Sequence, residues 1–252
     1  MRMIDLSAPI ASSSEAVPEM LRTAVEYLDH SAGAAEIEAM FGVPARLLRD
    51  EEGWARENFT RFGTHNSTHV DAPYHYNSTI QGRRAQTIDE LPLDLFVAPG
   101  VLVDFTTKED GDAISMDEMA DAIARTGREL APRDIVLVRT GRDRFYGAPD
   151  YMFRGPGVTA EATRWLFDRG VRVMGIDAWG WDRPLDRQAA DALERDQAGI
   201  FWAAHQCDLP YSQIERRVNL DALPPSGFTV SCLPLRLIGA SAAPARVVAI
   251  LE

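Results

Sequence analysis

Three short apolar runs, Val101-Leu102-Val103-Asp104-Phe105, Ile135-Val136-Leu137-Val138 and Val171-Arg172-Val173-Met174-Gly175-Ile176-Asp177, are separated by stretches of helical period. That order leaves few folds open, because buried strands joined by helices build a sheet with helices packed on it. Ser115 and Glu118 form a capping-box pattern ahead of Met119, Ala120 and Ile123, predicting a helix that ends near Gly127. Residues 159–167 predict a second helix stopped at Gly170, and residues 187–196 a third. Earlier in the chain, residues 3–6 read as an edge strand, 14–27 and 35–41 as helices, and 44–49 as a short helix or turn. Residues 228–232 and 246–251 read as late strands. They follow without long helices between them, so the sheet is expected to be mixed rather than purely parallel. The expected fold class is α/β: a single domain over residues 1–252, with a mixed β-sheet or barrel-like core flanked by helices.

Charge excludes several functions. With 38 acidic against 26 basic residues, the formal charge of −12 repels phosphate backbones and anionic membrane surfaces, so no nucleic acid and no membrane partner is expected. Residues 1–15 lack a secretory-signal pattern, and no stretch approaches the roughly eighteen apolar residues of a membrane span. Cys207 and Cys232 are isolated and form no CxxC pair, which fits reduced thiols. A cytoplasmic location is expected.

Chemistry concentrates in one place. Three of the five histidines fall in His65-Asn66-Ser67-Thr68-His69-Val70-Asp71-Ala72-Pro73-Tyr74-His75, with a carboxylate among them. Imidazole nitrogen and carboxylate oxygen are the donors that divalent transition metals take. In an extended segment His65, His69, Asp71 and His75 share a face, whereas a helix would keep His65 and His69 together but turn Asp71 away. On sequence alone His205 is a semi-buried histidine and Glu215 a surface carboxylate paired with Arg216 or Arg217. His30 reads as a surface residue at a helix end.

The motif, with Ser67-Thr68-His69-Val70-Asp71-Ala72-Pro73-Tyr74-His75 after His65, resembles the HxGTHxDxPxH signature of the metal-dependent cyclase family, which includes bacterial kynurenine formamidase, isatin hydrolase and trans-dienelactone hydrolase. Ile4-Asp5-Leu6-Ser7, Val138-Arg139-Thr140-Gly141, Gly175-Ile176-Asp177 and Leu233-Pro234-Leu235-Arg236 resemble further landmarks in the family's order. Ser67 stands where glycine is usual. Extra sequence around residues 146–153 and 182–202 shifts weight toward the larger members, which open cyclic amides or lactones.

The resemblance implies a swivelling β/β/α fold and a divalent metal, Mn2+ or Zn2+, as one or two ions. It implies metal ligation by His65, His69 and Asp71, completed by His205 and Glu215, with His75 left for acid/base work. The implied activity is a metal-dependent hydrolase that uses activated water to open a cyclic amide, as isatin hydrolase does, or a related small aromatic amide. N-formylkynurenine formamidase and lactone hydrolase are the alternatives within the class. Outside it stand an inert metal-binding module closed by four ligands, and an isomerase that consumes no water. Phe59, Phe62, Trp179, Trp181 and Trp202 lie close in sequence to the proposed ligands and are expected to line a pocket for a planar or aromatic small molecule. Trp165 and Phe167 are assigned to the core. A homodimer or homotetramer is expected by the same resemblance.

Overall fold

The computed structural model describes residues 1–251 and, of Met20, the backbone alone. Its contacts divide the chain into two units, one of residues 1–9 and 64–252 and one of residues 10–63. The larger unit is built on a single nine-stranded mixed sheet. In chain order its strands are β1 (Arg2–Asp5), β2 (His69–Asp71), β3 (Val97–Asp104), β4 (Ile135–Arg139), β5 (Val173–Ile176), β6 (Ser212–Glu215), β7 (Phe228–Ser231), β8 (Ala242–Pro244) and β9 (Val248–Leu251). Across the sheet they run β1-β9-β7-β3-β4-β5-β6-β2-β8.

The central strands β3, β4, β5 and β6 are parallel neighbours. Parallel strands need crossovers. Among the helices, numbered in chain order, α1 is His30–Phe41 and α2 the short turn Pro73–Tyr76, while α3 (Met116–Arg125), α4 (Ala160–Asp168) and α5 (Leu185–Arg195) supply those crossovers. Antiparallel strands flank the parallel core on both sides, and the sheet curls into a half-barrel.

Both faces of the central strands are buried, and alternation divides them. Val101, Val103, Val136, Val138, Met174 and Ile176 pack against Met119, Ile123, Ala162 and Leu166 of α3 and α4. Leu102, Ile135, Leu137, Val173 and Ile214 meet Leu6, Val70, Phe96 and Val230 inside the curl. Trp165 and Phe167 pack against the helix-side core, as expected of them. Gly175 has a reason inside the curl: a Cβ there would lie 2.6 Å from Cζ of the fully buried Arg217, so the missing side chain makes room for the guanidinium.

The helix starts follow from their caps. Ser115 accepts from Glu118 N while the Glu118 carboxylate accepts from Ser115 N, and Thr159 accepts from Ala162 N. Removing the first cap, Ser115→Ala, is expected to lower stability by about 1 kcal/mol without altering the site, read by denaturant unfolding. An unchanged unfolding midpoint would show that the capping box contributes nothing.

The smaller unit holds the antiparallel pair Ala24–Leu28 and Arg56–Arg61 and helix α1, N-capped by Asp29 and closed by left-handed Gly42. His30 is exposed at the first position of α1. The helix expected over 14–27 does not form. Only Glu19–Leu21 makes a 3₁₀ turn after Pro18, and Ser12 and Ser13 accept from Val25 N and Thr23 N, offering the backbone an extended alternative. Residues 56–61 form the partner strand of Ala24–Leu28. No helix among the described residues is long and apolar enough to cross a membrane.

Candidate metal centre

Strand β2 carries His69 and Asp71 on the side opposite buried Val70. Its register with β6 sets Glu215 directly across from His69. Cross-strand partners share a face. His69 Nε2 is thereby 3.3 Å from Asp71 Oδ1 and 3.7 Å from Glu215 Oε2. Glu215 is buried and makes no ion pair with Arg216 or Arg217, so its reading as a surface carboxylate is corrected by the strand pairing.

The motif is not extended throughout. Pro73 opens the turn α2, and His75 returns on helical backbone rather than by strand parity, its ring 4.0 Å from that of His65. His65 sits in the loop before β2, with Nδ1 2.9 Å from Asp71 Oδ1 and Nε2 3.1 Å from Ser241 Oγ. Two sets of potential ligand atoms result, His65/Asp71/His75 and His69/Asp71/Glu215, sharing Asp71. His205 joins from the loop before β6, with Nε2 3.6 Å from Glu215 Oε1.

The motif's small residues set this geometry. Ser67 O accepts from His69 Nδ1 at 2.6 Å, which leaves Nε2 as the free lone pair facing Asp71 and Glu215. Thr68 Oγ1 donates to Arg216 O at 2.6 Å and accepts from Ala8 N at 2.8 Å, tying β2 to β6 and to the N-terminal segment. Ser67 does not need a left-handed backbone, so glycine's freedom is not required there. Its hydroxyl donates to Ala8 O.

A divalent cation fits this donor set. His69 Nε2 and Asp71 Oδ2 are buried without a hydrogen-bond partner, and Asp71 Oδ1 faces the imidazoles of His65 and His69. Acceptors are thus gathered in one place, and buried acceptors without donors are costly unless a cation lies between them. Burial pushes the Asp71 carboxyl up, but His69, His75 and His65 outweigh it and hold it well below the usual range. Burial also pushes Glu215 up, and the hydrogen bond with His205 reverses that and lowers it. Burial lowers His75 to about 4, only partly offset by Asp71 and reinforced by His65 and His205.

Burial acts to lower His205 too. Its hydrogen bonds with Asp182 and Glu215 overcome this and raise it to about 10. A folded-state value above the ordinary 6.5 means that the stability from charged His205 is whole below pH 6.5 and is lost as pH rises through about 10. Chelator-treated protein is therefore expected to melt at falling temperature across that window, and His205→Gln to flatten the slope. Parallel slopes for the two proteins would remove His205 as the cause.

The aromatic residues divide. Trp202 stands at the cluster, stacked on His205 with ring centroids 4.4 Å apart and edge-on to His75 at 4.9 Å. Trp179 is half-buried under the Arg216 guanidinium, 4.6 Å from its ring. Trp181 is a core residue, fully buried with Nε1 donating to Thr163 Oγ1. Phe59 and Phe62 belong to the smaller unit, their rings 5.1 Å apart and Phe59 exposed. Arg139 pairs with Asp104, and Arg183 with Asp191. Two residues at the cluster carry no local signal in the sequence: Asp182, which holds His205, and Arg216.

The family described as putative cyclase matches residues 4–183. Kynurenine formamidase of Salinibacter ruber is 31% identical over 193 residues, covering 75% of this chain and 76% of that protein. The structure of isatin hydrolase A from Labrenzia aggregata bound to benzyl benzoate superposes with a TM-score of 0.70 at 24% identity, covering 99% of this chain and 93% of that one. A potential metal-dependent hydrolase with cyclase activity gives 0.66 at 23% identity, over 100% and 98%. His205 and Glu215 lie beyond the residues that the family matches, and the fold gathers them with the motif.

Proposed function

The chain belongs to the putative cyclase family, and from that premise we propose that it is a metal-dependent hydrolase that opens a cyclic amide, or cleaves a related small aromatic amide, with water. The observation that carries this is the pair of buried, unpartnered acceptors, His69 Nε2 and Asp71 Oδ2, set against Glu215. His65, His69 and Asp71 would hold one Mn2+ or Zn2+, and His205 and Glu215 would complete a second site with Asp71. When bound, the metal supplies Lewis acidity, activating water and polarising the substrate carbonyl.

The chain's own groups do the rest. His75, uncharged above the low pKa that burial gives it, accepts the proton of the attacking water at an imidazole nitrogen and returns it to the leaving nitrogen. Asp71 stabilises the imidazolium meanwhile, since it and, more weakly, Glu215 favour the charged form of His75. Trp202 stands beside this chemistry, edge-on to His75, which suits a planar or aromatic substrate. The donor groups outnumber the four that a closed structural zinc site uses, which argues against an inert module.

The identity with a kynurenine formamidase supports a second reading, hydrolysis of N-formylkynurenine by the same groups. A lactone is the third. The reading takes residues 1–252 as one working domain in a homodimer or homotetramer, and free Cys207 and Cys232 support a reducing, cytoplasmic setting. Elemental analysis of wild type and His69→Ala, with turnover of isatin and N-formylkynurenine assayed on the same samples, tests it. Stoichiometric zinc or manganese that is lost with His69, together with turnover of either compound, is the expected result. A wild type that folds but takes up no metal on reconstitution would sink it.

A further inference from the structure

His205 is held by one side chain. Asp182 Oδ2 accepts from His205 Nδ1 at 2.5 Å and from His205 N at 3.1 Å, and Asp182 Oδ1 accepts from Ala204 N at 2.9 Å. Both Asp182 and His205 are almost fully buried. The preceding residue acts on the other side of the same position, because Trp181 N donates to Glu215 Oε1 at 2.9 Å, which turns Oε2 toward His69. Two successive residues of the loop after β5 thus orient two potential ligands on different elements.

That loop is itself fixed. The Trp181 indole is anchored in the core on Thr163, and Trp181 O accepts from Val158 N at 2.8 Å. Gly157 lies so close beneath that a Cβ would come 1.9 Å from Arg183 N and 2.2 Å from Asp182 C. On the far side Gln188 Oε1 accepts from Trp202 N at 2.6 Å, holding Trp202 in a left-handed conformation with its ring stacked on His205. A backbone held in that strained region by surrounding contacts marks a position whose geometry is enforced.

We propose that Asp182 is the positioning residue of this centre: through the Nδ1–H hydrogen bond it fixes the His205 tautomer and ring plane, so that Nε2 is presented as a ligand beside Glu215. The proposal rests on the reading of the cluster as a metal centre. An imidazole that donates Nδ1–H to a carboxylate has its lone pair on Nε2 and is a stronger base there, and losing such a partner weakens a metal site by about 10–100-fold. Asp182 touches neither substrate nor metal in this arrangement. It acts through His205.

The test is zinc uptake by chelator-stripped protein against a competing chelator, for wild type, Asp182→Asn, Asp182→Ala, His205→Ala and the double Asp182→Asn/His205→Ala. Asp182→Asn keeps an acceptor oxygen and guards against loss of fold, which circular dichroism checks. The expected result is about a 10–100-fold weaker uptake in the Asp182 variants, and a double variant no weaker than His205→Ala alone. The nitrogen resonances of His205 in zinc-loaded wild type should show a proton on Nδ1 alone, and that proton should exchange faster in Asp182→Ala. Wild-type affinity in the Asp182 variants, or additive losses in the double variant, overturns the positioning role while leaving the metal centre standing. A wild type that takes up no zinc overturns the metal-centre reading and this role with it.

Discussion

An Asp71→Asn protein is expected to fold, to lose its metal and to lose turnover on the order of 10³-fold, about 4 kcal/mol of transition-state stabilisation. Asp71 is the one residue common to both sets of potential ligand atoms. Each other ligand can be removed and leave one set complete, but removing the charge here strips a carboxylate from both. The amide is nearly isosteric, and its NH2 can donate to the orphaned Nε2 of His69, so the metal-free variant has no steric reason to unfold. The measurement pairs elemental analysis with thermal melts at added Zn2+ or Mn2+. Wild type should gain stability with metal by mass action, about 2.7 kcal/mol at a hundred times the dissociation constant. The variant should gain none. Stoichiometric metal and near-wild-type turnover in Asp71→Asn would end the assignment of Asp71 to the centre.

The elements that carry their own local signals were legible in the sequence. Helix α3 announces itself through Ser115 and Glu118, and the central strands through short apolar runs rich in β-branched residues whose alternate residues serve the two cores. The mixed character of the sheet followed from late strands without helices between them, and β7 and β9 are indeed antiparallel neighbours. The failures have a common physical cause. Residues 14–27 have a helical pattern, but Pro18 and the seryl hydroxyls of Ser12 and Ser13 favour the extended pairing with Arg56–Arg61, a partner some thirty residues away in sequence. His75 reaches the cluster by the turn that Pro73 opens and not by strand parity.

At the centre the same distinction holds. The density of histidines around Asp71 pointed to the place, because those residues are neighbours in sequence. Glu215 reaches it only through the register of β6 on β2, which no local spacing encodes. Asp182 acts on a residue twenty-three positions away, and its role exists only once the loop after β5 is folded over that before β6. Trp181 and Trp179, two residues apart and read alike, separate because one indole is buried on Thr163 in the helix-side core and the other is half-buried under Arg216.

His75→Ala is expected to keep its metal and lose about 10²–10⁴-fold in kcat, the range contributed by a positioned acid/base group. The imidazole lies within ligand distance of His65 and Asp71, so geometry alone allows coordination. Its electrostatic setting favours the other role. Burial and the neighbouring His65 and His205 keep the ring unprotonated at neutral pH, ready to accept a proton, and Asp71 favours the imidazolium once formed. Trp202, edge-on at 4.9 Å, walls the ring in, so truncation leaves an enclosed space of imidazole size. Added imidazole should then restore part of the lost kcat in His75→Ala while leaving KM nearly unchanged. Metal content decides between the roles: a variant that loses metal in step with activity, and that imidazole does not rescue, makes His75 a ligand, and the proton must then be moved by another group at the centre.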